Sequence, residues 1–380
     1  MAWTEKYTTI DAFLRAELCP RNTLEGLISK ALKKFPEYTR EEVIAKIDLL
    51  DDTAKDKREL VFYRNKYEES QKHSGFIDEI INLIGKHIKP INLTEKWQPT
   101  PSKNKLPDEK LLCINSDQHI GFIVNQYEAP KEGMIYNPTV AKQRIEKYSQ
   151  IVLKIIDNHR KFEQIDEVYL TYLGDGLEGD WKGLNCSKDD IVEQYVNAFS
   201  IFASQIEFFA SHFSQVHINC IYGNHSRMDK GQPEYVNWEY ILWSTVMRVK
   251  LENVPNVHLN VPSTPFGFFS IYDKKFCMIH GGGIKMTYRT PYYGLESAHK
   301  EYNDIFSDLD QGRFDYLLLG HFHQPASLND NKIKICGSTV GYHPWSMSAL
   351  RRYCRPSQKM CLVHKEHLSL IQISEPTRPY

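Results

Sequence analysis

Five short apolar runs in this chain are each followed at once by residues of the types that bind metals, and this pattern constrains the fold more than any other feature. The first run, residues 111–116, ends in Asp117 and His119. Such a run is typical of a buried strand, and in an open α/β sheet the side chains just beyond the carboxyl ends of strands line the ligand crevice. We therefore expect a metal site here if other strands end in the same way.

The four later runs do end in the same way. Asp175 follows residues 167–173, Asn224 and His225 follow 215–222, His280 follows 276–279, and His321 and His323 follow 314–319. Helical spacing is found in residues 140–159, 189–212 and 235–250, and further short strands are predicted at 257–261, 267–272 and 333–335. This alternation predicts an α/β domain. Five ordered strand ends of this kind are not explained by packing.

In order, these strand ends read D-x-H, G-D, G-N-H, a single His and G-H-x-H, and the set resembles the signature of the calcineurin-like metallophosphoesterases over residues 110–345. The resemblance implies an α/β four-layer sandwich, with two mixed β-sheets flanked by helices and a dimetal site at one edge. The layout, including the closing stretch GSTVGYHPWS, is most similar to phage and prophage metallophosphoesterases and to the nuclease-like branch. Glu178 and Asp180 in GDGLEGD, and Ser226 and Arg227 after G-N-H, depart from the usual pattern and weaken assignment to one branch.

The resemblance also implies the ligands of two divalent ions. One ion would be held by Asp117, His119, Asp175 and His323, and the other by Asp175, Asn224, His280 and His321. His225 matches the catalytic histidine of the family, which contacts the phosphate with Asn224 and protonates the leaving oxygen. Arg227 either binds a substrate phosphate or is a solvated loop arginine. This mixed N/O set suits Mn²⁺, Fe²⁺ or Zn²⁺ better than Ca²⁺; we expect Mn²⁺, with Fe²⁺, Zn²⁺ and Ni²⁺ as alternatives.

Hydrolysis of a phosphate ester needs a strong oxygen nucleophile and neutralisation of the phosphoryl charge. Two divalent ions about 4 Å apart supply both, through a metal-bridging hydroxide that attacks phosphorus in line. We therefore expect a dinuclear-metal phosphoesterase acting on phosphodiesters of DNA or nucleotides. One alternative is a phosphomonoesterase or protein phosphatase. A protein phosphatase needs several phosphate-binding arginines, of which Arg227 is one candidate. The other alternative is a DNA replication or repair scaffold subunit with a retained metal site.

The predicted domain organisation has four parts. Residues 1–89 are expected to form a helical module. It is either a helix-turn-helix unit or, as we favour, a small bundle that docks on the main domain or on a partner. Thr39 and Glu42 are expected to form a capping box within this module. Proline-rich residues 90–109 form a linker, and residues 110–371 form the metallophosphoesterase domain. Residues 372–380 share no pattern with the rest and are interpreted as a non-native tail whose deletion changes nothing.

The composition of the chain limits the partners and the cellular compartment that we expect. The net charge is -1, so any nucleic-acid surface must be local; candidates are the run Arg351, Arg352, Arg355 and Lys359 and the aromatic residues of 287–293. Eight cysteines without a C-x-x-C pair, and the lack of an apolar signal segment or membrane span, predict a cytoplasmic protein. Nucleic acid or a nucleotide is the expected substrate, no membrane partner is expected, and a protein partner of the N-terminal module and a homodimer stay open.

Overall fold

The computed structural model describes residues 10, 24–44, 107–180, 187–229, 231–285, 291–309 and 311–374. The chain divides into two compact units, Met1–Leu83 and Ile84–Tyr380. Helix α1 (Leu24–Lys34) belongs to the first unit, in which buried Ile28, Ala31 and Val43 share a small apolar core. The predicted boundary at residue 89 and linker residues 90–106 lie outside the described residues.

The capping box predicted in the first unit is confirmed. The backbone N–H of Thr39 donates to Glu42 Oε2 at 2.8 Å, and the backbone N–H of Glu42 donates to Thr39 Oγ1 at 3.3 Å. Residues 40–44 are helical beyond it. The two side chains therefore satisfy donors that have no partner within the helix.

The second unit contains two main sheets. Its strands are β1 (Lys110–Asn115), β2 (Phe122–Ile123), β3 (Glu167–Leu173), β4 (Ser187–Lys188), β5 (Gln215–Ile221), β6 (Val257–Asn260), β7 (Phe266–Ile271), β8 (Lys274–Ile279), β9 (Tyr316–Leu319), β10 (Ala326–Leu328), β11 (Ile333–Ile335), β12 (Ser357–Val363) and β13 (Leu368–Ser374). The six-stranded sheet has the order β13-β12-β1-β3-β5-β6, and the five-stranded sheet β10-β11-β9-β8-β7. Both are mixed. In the first sheet β1, β3, β5 and β6 are mutually parallel, and β12 pairs antiparallel with β1 on one side and β13 on the other. In the second sheet β8, β9 and β11 are mutually parallel, and β7 and β10 pair antiparallel with β8 and β11.

Helices cover the sheets. They are α2 (Pro138–His159), α3 (Ile191–His212), α4 (Trp238–Ile241), which continues through a π-helical segment Leu242–Met247 into α5 (Arg248–Leu251), and α6 (Tyr292–Asp308). Asn137 caps α2 by accepting from the backbone N–H of Val140, and Asp190 caps α3. No helix among the described residues is both long enough and apolar enough to cross a bilayer.

The period-2 alternation of the strands divides the core into layers. Phe276 and Met278 of β8 pack between the two sheets with Leu112 and Leu173 of the other sheet. The intervening Cys277 and Ile279 pack outward with Leu295 and Phe306 of α6. On the outer face of the six-stranded sheet, Tyr172 of β3 contacts Phe202 and bonds to Gln205, both of α3. This order of helix, sheet, sheet and helix confirms the predicted four-layer sandwich.

The sheet order explains why the polar residues after the strands meet. Parallel neighbours β1, β3 and β5 all end at one edge of their sheet, and parallel β8 and β9 both end at one edge of the other. The two edges adjoin, because the backbone N–H of His321, just after β9, donates to both carboxylate oxygens of Asp117, just after β1. The topology therefore brings all five motifs to one place.

One prediction outside that edge is wrong, and the structure places part of a second segment in a sheet. Lys359 is not part of an exposed basic run: it lies in β12, 1% exposed, and its ammonium donates to Ala326 O and Ser327 Oγ. The boundary between residues 371 and 372 falls inside β13, where Ile373 is buried and pairs with Gln358. Residues 372–374 therefore belong to the sheet, and residues 375–380 lie outside the described residues.

Candidate metal centre

Five of the predicted metal ligands have a strained backbone. Asp117, His119, Asp175, His321 and His323 have φ values of 53°, 45°, 54°, 67° and 57°, in the left-handed region that L-residues other than glycine rarely adopt. Each such residue costs about 1–3 kcal/mol, and such residues persist where the surrounding structure holds them, commonly at functional sites. The strain turns each side chain toward the interior of the edge as its strand ends.

The first cluster joins Asp117, His119 and His323. The Nε2 atoms of the two histidines lie 3.0 Å apart, and Asp117 Oδ1 lies 3.3 Å from His323 Nε2 and 3.9 Å from His119 Nε2. His119 Nδ1 lies 2.7 Å from the carboxylate of Glu178, which can only accept, so Nδ1 carries the proton and Nε2 the lone pair. A lone pair, an imidazole nitrogen and a carboxylate oxygen therefore converge, as ligands of a cation do.

The second cluster joins Asp175, Asn224, His280 and His321. His280 Nε2 lies 2.8 Å from Asp175 Oδ2, 3.0 Å from Asn224 Oδ1 and 3.3 Å from His321 Nδ1. His280 Nδ1 donates to the carbonyl of Leu173 at 2.8 Å, so its Nε2 is again the atom with the lone pair. Acceptors face one another here too, which is favourable only when a cation or a proton lies among them.

Asp175 links the clusters. It belongs to one group of ligand atoms with His119 and His225 and to another with His280 and His321, and within each group the atoms lie within 4.8 Å of one another. A carboxylate with one oxygen available to each side is the ligand that two neighbouring cations share. The seven predicted ligands are thus brought together as two adjoining sets.

The electrostatics of the clusters suit metal binding. Burial opposes ionisation of Asp175, but His280 and His225 hold its pKa well below the ordinary value; burial likewise opposes ionisation of Asp117, whose pKa His323 lowers. Burial opposes protonation of His280, but Asp175 raises its pKa to about 9, so without a cation a proton is favoured at this position. Burial and His280 lower the pKa of His321 to about 3. Metal binding here is expected to compete with protons.

His225 lies at the opening of the centre. Its backbone N–H donates to Asp175 Oδ1 at 2.7 Å, its ring stands edge-on to that of His119 at 4.6 Å, and its side chain is 19% exposed. Glu178 Oε2 lies 3.2 Å from His225 Nδ1 as well as 2.7 Å from His119 Nδ1. From the sequence, Glu178 was noted only as a departure from the family pattern. Its position three residues after Asp175 was the one signal that it lies near the rings of His119 and His225.

Arg227, predicted to bind substrate, has a different partner. Its guanidinium is 3.5 Å from the carboxylate of Glu234, and residue 227 bridges to Asn237. Nothing described joins Arg227 to the metal ligands.

Glu239 was missed by sequence reasoning. This carboxylate, 1% exposed, accepts from the backbone N–H groups of Asp175 at 3.0 Å, Gly176 at 2.6 Å and Gly223 at 2.8 Å, and from Ser226 Oγ at 3.1 Å. Burial and the neighbouring Asp175 raise the pKa of Glu239 to about 7. It ties together the two loops that carry Asp175 and Asn224. No local motif marks it, because it lies in the first turn of α4.

His343 was missed in the same way. Its ring lies flat on Phe122, with centroids 4.6 Å apart at 10°, and 6.5 Å from the ring of His323. Burial and the nearby His119 lower its pKa to about 3. The sequence motif GSTVGYHPWS contained this residue but gave no reason to assign it to the site.

The donor set fits divalent metals. Imidazole nitrogens, carboxylates and one amide oxygen are ligands that Mn²⁺, Fe²⁺ and Zn²⁺ accept, and no thiolate is among them. The side chains place converging lone pairs in two adjoining sets, each with donors suited to a divalent cation.

No protein-family model matches this chain, and no curated protein matches it. Among solved structures, it is similar to a zinc complex of Vps29 from Entamoeba histolytica (12% identity, 70% of this chain, 98% of that chain, TM-score 0.31). It is also similar to a conserved protein of Streptococcus pneumoniae described as a predicted phosphoesterase (11% identity, 70% of this chain, 98% of that chain, TM-score 0.26). A third similar structure is a phosphopantetheinyl hydrolase from Mycobacterium tuberculosis (11% identity, 64% of this chain, 94% of that chain, TM-score 0.27). TM-scores at this level carry no argument about the substrate or activity of this chain. What supports its resemblance to calcineurin-like metallophosphoesterases is its own sheet order and the positions of its motifs.

Proposed function

We propose that this chain is a phosphoesterase that depends on two divalent metal ions and cleaves phosphodiesters of DNA or nucleotides. The observation that carries the proposal is the place of Asp175 between two sets of converging ligand atoms. One ion would be held by Asp117, His119, Asp175 and His323, and the other by Asp175, Asn224, His280 and His321. When bound, the two ions supply charge neutralisation at phosphorus and an acidified water.

The remaining residues act on the substrate. His225, partly exposed at the opening, is the proton donor to the leaving oxygen, and Glu178 balances the charge of its protonated ring at 3.2 Å. The backbone contact of His225 with Asp175 fixes the ring relative to the metal ligands. Asn224 binds both metal and phosphate in this proposal. Arg227 reaches a phosphate only if it leaves Glu234.

A phosphoprotein phosphatase is the second candidate, and the charges near the centre argue against it. Binding a phosphoryl group on a protein usually takes arginines at the metals, whereas the guanidinium of Arg227, the arginine nearest the metal motifs in sequence, lies 3.5 Å from the carboxylate of Glu234. A scaffold role would not require a full set of ligands. A homodimer, and a protein partner for residues 1–89, stay predictions.

The test compares two chromogenic esters. Purified protein with added Mn²⁺ is given bis(p-nitrophenyl) phosphate and p-nitrophenyl phosphate, and each assay is repeated with EDTA and with Asp175→Asn. We expect turnover of the diester to exceed that of the monoester and to be abolished by EDTA and by the substitution. Preference for the monoester would favour a phosphatase, and no turnover by protein with bound metal would contradict the enzyme assignment.

Replacement of His225 separates its role from metal binding. His225→Ala should retain both metal ions, because the two proposed ligand sets do not include His225, and should slow turnover because the leaving oxygen loses its proton donor. Calorimetric titration with Mn²⁺ gives the first result and the hydrolysis assay the second. Unchanged turnover would remove the proposed role of His225.

A further inference from the structure

An aromatic segment beside the metal centre is anchored to the loop that carries His119. His343 stacks on Phe122, three residues beyond His119, and its ring is 6.5 Å from that of His323. The segment that contains His343 is therefore held beside the first cluster of ligands. Its next aromatic residue is one ring contact further from that cluster.

That residue is Trp345, whose ring is 6.4 Å from that of His343 and whose side chain is 59% exposed. Exposed aromatic residues are common, and Phe162, 72% exposed, is another example. Phe162 precedes β3, at the opposite end of the strand from the metal ligands. Trp345 differs because the ring of His343 alone separates its ring from that of the proposed ligand His323.

The backbone after Trp345 is irregular and holds a cation nearby. Residues Ser346–Leu350 form a π-helical turn that ends at Arg351, whose φ is 56°. The backbone N–H of Arg352 donates to the carbonyl of Ser346 at 3.0 Å, so the exposed Arg351 is folded back beside the turn that follows Trp345. π-Helical turns and left-handed residues other than glycine are uncommon and occur often at functional sites.

We propose that Trp345 and Arg351 form a base-binding rim of the metal centre, at which Trp345 stacks on a nucleobase and Arg351 meets a phosphate of the same substrate. The inference rests on the proposed function and narrows it to substrates with a nucleobase next to the cleaved phosphate: a nucleotide diester or the end of a single strand. An aromatic face stacks on any base, and a guanidinium pairs with phosphate oxygens. The rim would therefore select nucleic acid with little preference for sequence.

The kinetic test uses two diesters with one leaving group. Thymidine 5′-(p-nitrophenyl) phosphate carries a base, and methyl p-nitrophenyl phosphate does not. We expect Trp345→Ala to lower kcat/KM about tenfold for the thymidine ester, in the range measured for loss of one base stack, and to change the methyl ester less than twofold. Trp345→Phe should restore most of the loss, and Phe162→Ala is the matched control for removal of an exposed aromatic ring.

The binding test does not need turnover. A fluorescein-labelled oligothymidylate and an abasic oligomer of equal length are titrated by fluorescence anisotropy with wild type, Trp345→Ala, Arg351→Ala and Phe162→Ala, in EDTA. We expect Trp345→Ala to weaken binding of oligothymidylate alone, and Arg351→Ala to weaken binding of both oligomers because both carry the phosphate chain. If Trp345→Ala affects only hydrolysis of the thymidine ester, the substrate is a mononucleotide. If it also weakens binding of the oligothymidylate, the substrate is the end of a strand.

The outcomes distinguish this inference from the proposed function. Wild type that hydrolyses neither ester but loses oligothymidylate binding on Trp345→Ala would contradict the enzyme and support the rim. Equal effects of Trp345→Ala on base-bearing and base-free ligands, or no effect on either, would overturn the rim while metal-dependent hydrolysis still stood.

Discussion

Removal of the buried carboxylate of Glu239 is predicted to destabilise the metal centre in a graded way. One oxygen, Oε2, accepts from the N–H groups of Asp175 and Gly223 and from Ser226 Oγ, whereas Oε1 accepts only from the N–H of Gly176. In Glu239→Gln the amide can keep its oxygen toward the three donors and direct its NH₂ at Gly176. One buried amide then loses its acceptor, which costs ~2 kcal/mol. Glu239→Ala leaves three buried amides without an acceptor, which costs ~5 kcal/mol after partial relaxation.

The assay has two parts. Urea denaturation of metal-free protein gives the free energy of unfolding, and calorimetric titration gives the affinity for Mn²⁺. We expect the free energy of unfolding and the affinity for Mn²⁺ to fall in the order wild type, Glu239→Gln, Glu239→Ala, because the hydrogen bonds of Glu239 also fix the loops that carry Asp175 and Asn224. Loss of such supporting contacts commonly lowers metal affinity 10- to 100-fold.

A control separates positioning from general instability. Ile373→Ala, in β13, removes buried apolar surface in a strand that holds no metal ligand and should lower stability by a similar ~2 kcal/mol while leaving Mn²⁺ affinity unchanged. The reasoning would be refuted if Glu239→Ala were no less stable than Glu239→Gln, or if both bound Mn²⁺ within twofold of wild type.

Three further predictions follow from other contacts. Glu178→Gln should keep the fold but slow turnover about tenfold, since the charge that faces His119 and His225 is lost; a steady-state assay with wild-type rates would contradict this. His217, whose Nε2 lies 3.6 Å from Glu167 Oε2, lowers the pKa of Glu167 to about 2; burial opposes this shift and Lys110 aids it. The carboxylate of Glu167 therefore contributes ~1 kcal/mol of stability above pH 4.5, and this contribution is lost as pH falls toward 2. Glu167→Gln should flatten that acid limb in denaturant titrations, and an unchanged limb would exclude the effect. Truncation after residue 371 should lower the free energy of unfolding, because it removes residues 372–374 of β13. A non-native tail could be deleted without such a loss, so an unchanged midpoint in urea would support the interpretation of residues 372–380 as a tail.

The fold, and the gathering of the seven predicted ligands at one edge, could be predicted because each of these residues lies within four residues of the end of a strand. The bounds predicted for β3 and β11, residues 167–173 and 333–335, are those observed. A buried strand and the glycine after it are local features, and the order of the motifs fixes which strands must be neighbours. Asp117 and His321 are therefore brought together although they are far apart in sequence.

Contacts made between elements could not be predicted. Glu239 acts through the amides of Asp175, Gly176 and Gly223, which only the packing of α4 against two loops brings within reach. Charge alone places Lys359 in a basic run with Arg351, Arg352 and Arg355. Its strand is buried along its length, however, and its ammonium donates to the carbonyl of Ala326, the first residue of β10. Partners of this kind depend on tertiary structure, which no local pattern encodes.

The central claim is that two metal ions share Asp175. The most direct measurement is anomalous diffraction from crystals soaked in Mn²⁺, collected for wild type and for Asp175→Asn. We predict two peaks in wild type, one beside Asp117, His119 and His323 and one beside Asn224, His280 and His321, with the carboxylate of Asp175 between them. A single peak, or two peaks that do not both contact Asp175, would contradict the claim.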